Sequence, residues 1–163
     1  ADLFDGVVAR RFDRDLAERA RGAALDSLAD VVSFLALPVA VVAATGLPLW
    51  TWAVLCLYLL AGLTRLAFFD AAAHAALRPG AQDRPVSHYR GLPTTYAALA
   101  VPLTALVAIV WAPNALGWAL LGCLAVLAAL FVADRPVPKP RGPWYGVFAL
   151  VAMAVLIGLA AAP

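Results

Sequence analysis

Apolar residues fill five long blocks of this chain, near residues 23–45, 48–70, 93–112, 115–133 and 143–162. Each block is close to the roughly 20 residues that a helix needs to cross a hydrocarbon core. The segments between the blocks alternate in character. Thr45-Gly46-Leu47-Pro48 and Pro113-Asn114 are short, uncharged turns of the sort that close tight helical hairpins. The other connections are longer and charged. The pattern predicts an all-α fold, a polytopic transmembrane helical bundle with five complete spans. One membrane domain over residues 1–163 is expected, with 1–21 as an amphipathic juxtamembrane segment and 23–162 as the bundle.

Composition agrees with that pattern and excludes an ordinary soluble domain. Apolar residues make up 64% of the chain, charged residues only 13%, and mean hydropathy is +0.88. The net charge of +2 says little; its distribution says more. Arg10, Arg11, Arg14, Arg19 and Arg21 precede the first complete span. Arg78, Arg84 and Arg90 lie between the second and third, and Arg135, Lys139 and Arg141 between the fourth and fifth. These are eleven of the twelve basic residues, all on one side, and the positive-inside rule makes that side cytoplasmic. Cys56 and Cys123 sit within predicted spans and read as small apolar fillers rather than a disulfide. The tryptophans Trp50, Trp52, Trp111, Trp118 and Trp144 fall near span ends, as an interfacial aromatic belt requires. Pro38 and Pro102 lie inside spans, where each is expected to kink its helix. No signal peptide is visible in the sequence. The chain opens on Ala1 without an initiator Met, so one or more further N-terminal spans are expected upstream.

The candidate chemistry is concentrated in four aspartates. Asp2 and Asp5 are three apart, and Asp26 and Asp30 are four apart at the mouth of the first apolar block. Helical i,i+3 and i,i+4 partners share a face, so each pair can aim two carboxylates at one place. An aspartate at the centre of a membrane helix costs about 2.5–3.5 kcal/mol on insertion scales. Such a cluster therefore calls for neutralising cations, and hard divalent ions take oxygen ligands that they share with substrate phosphates. Four carboxylates balance two divalent ions. Arg65, the only basic residue inside a block, is a candidate site residue by the same cost argument, with snorkelling of its long side chain as the alternative. His74 and His88 lack zinc-ligand spacing, and neither a nucleic-acid motif nor a Gly-rich phosphate loop is present.

The run from Asp2 to Asp30 resembles the signature of the CDP-alcohol phosphotransferase family. That signature reads Asp-x-x-Asp-Gly-x-x-Ala-Arg, a spacer, then Gly-x-x-x-Asp-x-x-x-Asp. Asp2, Asp5, Gly6, Ala9, Arg10, Gly22, Asp26 and Asp30 fill it in order. Within the family, Leu25-Asp26-Ser27-Leu28-Ala29-Asp30-Val31-Val32-Ser33-Phe34, with Pro38 after it, is similar to the phosphatidylserine synthase branch. So are Arg65-Leu66-Ala67 and Gly91-Leu92-Pro93. The chain departs from that branch in a longer spacer between Arg10 and Gly22, and in Leu35 where a small residue is usual. Phe68 and Asp70 stand where the serine enzymes often carry Arg and Asn.

The resemblance implies a membrane phospholipid synthase that moves a phosphatidyl group from CDP-diacylglycerol to a small alcohol and releases CMP. Serine is the expected acceptor. Two divalent ions, Mg²⁺ or Mn²⁺, would be held by Asp2, Asp5, Asp26 and Asp30, with Asp30 also the general base. Gly6, Ala9, Arg10 and Gly22 would bind the CDP-lipid, and Arg65 and Asp70 the acceptor or phosphate. The resemblance further implies a homodimer in the inner membrane, its site open to the cytoplasm, with the lipid bilayer and no nucleic acid as partner. Sibling enzymes that use inositol phosphate or glycerol phosphate stay open as alternatives. A small multi-pass transporter is a further reading; it calls for charged residues across the midplane, and the last two blocks have no Asp, Glu, Lys, Arg or His.

Overall fold

The computed structural model describes residues 16–76, 88–90, 92–133, 136–138 and 144–161. Helix α1 (Leu16–Asp30) passes without interruption through one wide turn, Val31–Ala36, into α2 (Leu37–Ala43). A short 3-10 turn, Leu49–Thr51, opens α3 (Trp52–Ala76). A second, Thr94–Tyr96, opens α4 (Ala97–Trp111), and a third, Pro113–Ala115, leads into α5 (Leu116–Val132). The last helix is α6 (Trp144–Ala161). The protein is an all-α bundle. Arg21–Ala43, Leu49–Ala71, Thr94–Trp111 and Pro113–Val132 are each long and apolar enough to cross a membrane, and α6 contributes the shorter apolar stretch Leu150–Ala161. These segments track the five expected spans closely, and the chain is an integral membrane protein.

Helix α5 is the hub of the bundle: it packs on α3 and α4, while α6 packs on α4. Leu120, Leu124, Leu127 and Phe131 form its inward stripe, at helical spacing, and meet Leu35, Val42, Leu55 and Tyr58 from the first two spans. The outward faces remain apolar, with Leu57, Leu60, Val110, Val126 and Leu156 exposed, as a lipid-facing surface requires.

The two uncharged turns lie together at one end. Gly46 closes α2 with φ +71°, a left-handed conformation that glycine adopts at no steric cost. Thr45 donates to the Val42 carbonyl at 2.6 Å and lies against Gly117, where a side chain would meet the Thr45 hydroxyl at 2.7 Å. Trp50 and Trp118 stack at 5.7 Å there, and Trp52 and Trp111 are exposed at the same end, consistent with an interfacial belt.

At the opposite, basic end, β1 (His88–Arg90) pairs antiparallel with β2 (Pro136–Pro138), with Tyr89 opposite Val137. The apolar pattern marks both segments only as parts of loops. A three-residue ladder with proline at two of its positions is too short to leave a periodic signal.

The wide turn has a local cause. Pro38 has no N–H, and its ring crowds the carbonyl four residues back, that of Phe34. The helix widens to π geometry: the Leu37 N–H donates to the Val32 carbonyl five residues back. Tyr58, fully buried on α3, donates its hydroxyl to the Phe34 carbonyl at 2.6 Å. The expected disturbance at Pro38 is thus a widened turn with a partner from the next span. Pro102 is carried inside α4. Leu35, in the same wide turn, is fully buried because Gly62 on α3 leaves it room.

Candidate functional site

The site residues that the structure describes gather at the basic end, on α1, on the last turns of α3 and at the entry to α4. Ala, Leu, Glu and Arg dominate Leu16–Asp30, and all are strong helix formers. Gly22 does not break the helix, and nothing lies within 4 Å of the space a side chain would take there. Ser27, Asp30, Val31 and Phe34 recur at helical spacing and are each partly buried, so this face of the helix turns toward the bundle. Asp26 shares the i,i+4 relation with Asp30 but is exposed, on the rim of that face. The helix therefore carries one half-buried aspartate and one exposed aspartate, about one turn apart.

Asp70 faces Ser27 from α3. The Ser27 hydroxyl lies 2.9 Å from one carboxylate oxygen of Asp70 and 3.1 Å from the other. This bond ties the motif helix to the end of the second span. Ser27 stands between Asp26 and Asp30 in the sequence, so the bond fixes Asp70 against the helix that carries both.

Arg65 does not snorkel. It lies about one and a half turns deeper than Asp70 along α3, and only 9% of its surface is exposed. Its Nε–H donates to the Leu92 carbonyl at 3.1 Å, and the Leu92 N–H donates to the Leu130 carbonyl at 3.2 Å. Leu92, in the Gly91-Leu92-Pro93 segment, thus joins α3 to the end of α5. A buried guanidinium is expensive unless it is hydrogen-bonded, which accounts for a carbonyl so close to its Nε.

Asp2, Asp5, Gly6, Ala9 and Arg10 lie outside the described residues. Among the described residues no group of three or more His, Cys, Asp or Glu side chains is placed to hold a metal ion. Asp26 and Asp30 are nonetheless hard oxygen donors on one helix edge, the donor chemistry that Mg²⁺ or Mn²⁺ accepts. An apolar groove lined by Leu103, Thr104, Val107 and Trp111 lies at the uncharged end and takes no part in this cluster.

The residues that the sequence alone did not single out are Ser27 as the tie to Asp70, and Tyr58 and Gly62 behind the wide turn. Ser27 stands between two motif aspartates, a placement that could have drawn notice. Nothing in the local sequence marks Tyr58 or Gly62, whose partners are more than twenty residues away.

Residues 1–130 match the family profile described as CDP-alcohol phosphatidyltransferase. No curated protein and no solved structure gives a match.

Proposed function

The chain belongs to the CDP-alcohol phosphatidyltransferase family, and from that premise we propose that it is a CDP-diacylglycerol-dependent synthase of the phosphatidylserine type. The acceptor hydroxyl oxygen attacks the phosphorus that carries the diacylglycerol. The bond from that phosphorus to the bridging oxygen breaks, and CMP leaves with the bridging oxygen. Asp30 takes the proton of the attacking hydroxyl as the new bond forms.

The carrying observation is that Asp30 is half-buried on the helix face that also carries Ser27, whose hydroxyl meets Asp70. Asp26, Asp30, Asp2 and Asp5 are the proposed holders of two divalent ions, which when bound would neutralise charge on the pyrophosphate. Arg10 would pair with a phosphate oxygen through its fork of donors. Gly6, Ala9 and Gly22 would let the cytidine approach the backbone closely. Asp70 and Arg65 would border the acceptor, and the basic end of the bundle would face the cytoplasm.

Serine suits the charges better than a phosphorylated alcohol. A phosphorylated acceptor calls for several cations in the cavity, and among the residues whose burial is described Arg65 is the only buried cation. Asp70 offers a negative partner for an ammonium group instead.

The test is CMP release by the purified full-length protein given CDP-diacylglycerol, Mg²⁺ or Mn²⁺, and a panel of alcohols. CMP formed with serine and not with inositol phosphate or glycerol phosphate is the expected result. Release with a phosphorylated acceptor alone would remove the serine assignment, and release with none would remove the synthase reading.

A further inference from the structure

We infer that Tyr58 is a positioning residue: its hydroxyl, paired with the Phe34 carbonyl, sets the rotation of the carboxylate-bearing half of the first span. The inference rests on the reading of Asp30 as the base only where turnover is concerned; its geometric content stands apart from it.

Helices α1 and α2 are one continuous rod with a change of phase in the middle. A turn in π geometry takes up about one more residue than an α turn, and so rotates the upstream half of the rod by roughly 100° relative to the downstream half. The rotation applies to everything upstream of Val31, which includes Ser27, Asp26 and Asp30. Whether Ser27 and Asp30 face α3 or the lipid thus depends on this turn staying wide.

Two residues hold it open, and they act on the same atom. Pro38 cannot donate to the Phe34 carbonyl, and its ring pushes that carbonyl away from the α position. Tyr58 then supplies the missing donor at 2.6 Å. The ring is fixed as firmly as the hydroxyl: Tyr58 is 0% exposed and packs against Phe131 at 5.7 Å, tilted by 38°. Phe131 lies on α5, whose end is joined through Leu130 and Leu92 to Arg65. A buried tyrosine therefore connects the hub helix to the turn that sets the rotation of Asp26 and Asp30. About two helical turns separate Phe34 from Ser27 on the first span, and the same interval separates Tyr58 from Arg65 on the second. A small rotation at the wide turn is therefore carried directly into the site.

The test reads geometry and turnover separately. In a full-length chain with Cys56→Ala and Cys123→Ala, the pair Ser27→Cys and Asp70→Cys is joined by a short bifunctional thiol reagent. The parent pair should link readily, and adding Tyr58→Phe, which keeps the ring and removes only the hydroxyl, should slow linking severalfold. Without the cysteine changes, Tyr58→Phe should lower kcat by about ten- to a hundredfold, as expected for a catalytic group displaced by about 1 Å, while KM for CDP-diacylglycerol moves by less than about twofold. Pro38→Ala is the second variant. It restores an N–H that competes for the Phe34 carbonyl, so it should slow linking with Tyr58 still present. Linking that matches the parent in Tyr58→Phe, or in Pro38→Ala should the first variant not fold, would overturn the inference. If linking responds as expected while the chain without the cysteine changes releases no CMP with any acceptor, the rotation device stands and the synthase reading falls.

Discussion

Replacing Gly62 by alanine tests the packing that lets the wide turn exist. The added methyl would sit 2.9 Å from Leu35 Cδ1 and 3.1 Å from its Cγ, and closer still to Cδ2. Leu35 is fully buried among Val42, Leu55 and Tyr58, so it has nowhere to retreat. Overpacking of this kind costs about 1–3 kcal/mol. Truncating Leu35 to alanine alone should cost about 2–5 kcal/mol, because it leaves a cavity against the bare backbone of Gly62. In the double variant the new methyl points into that cavity, so the two losses should not add. A favourable coupling of about 1–3 kcal/mol is expected, within the range for residues in contact. The four chains would be unfolded in mixed micelles by increasing denaturing detergent, with helicity as the readout. Additivity to within about 0.5 kcal/mol would mean that the two positions are independent, and would refute the contact between Leu35 and Gly62. The same cycle repeated on CMP release should show Gly62→Ala impaired and the double variant partly restored, since Leu35 lies in the turn immediately after Asp30.

Other substitutions probe the site itself. Asp30→Asn should abolish turnover while CDP-lipid binding persists; normal CMP release in that variant would remove Asp30 as the base. Excess EDTA should stop the reaction and added Mg²⁺ or Mn²⁺ restore it, so full activity in the chelator would dismiss the divalent-ion scheme. Arg65→Leu should lower thermal stability by about 1–3 kcal/mol, the cost of an unsatisfied buried group at the Leu92 carbonyl. An unchanged melting temperature there would show that the carbonyl has another donor.

Much of this protein was legible without coordinates, for a physical reason. A bilayer imposes a length and a polarity on every segment that crosses it, so spans 23–45 through 143–162 stood out as apolar blocks and match the helices found. The i,i+4 relation of Asp26 and Asp30 is likewise a local property of the helix that carries them. The inward lean of Asp30 and the exposure of Asp26 could not be read that way, because they depend on the phase of one rod against its neighbour. Arg65 illustrates the boundary. Its place within an apolar block marked it as a candidate, yet snorkelling and burial both stayed open until the Leu92 carbonyl was found beside its Nε. The strand pair at His88–Arg90 and Pro136–Pro138 had no signal, being too short to have a period.

The sequence by itself determined the spans and the spacing of the motif carboxylates, since each depends on residues that are neighbours along one helix. Only the tertiary structure decided which faces meet. Tyr58 reaches Phe34 across 24 positions, Ser27 reaches Asp70 across 43, and Gly62 receives Leu35. A hydrogen-bond donor or a missing side chain acquires its meaning from whatever packs against it, and that partner is chosen by the fold of the whole bundle.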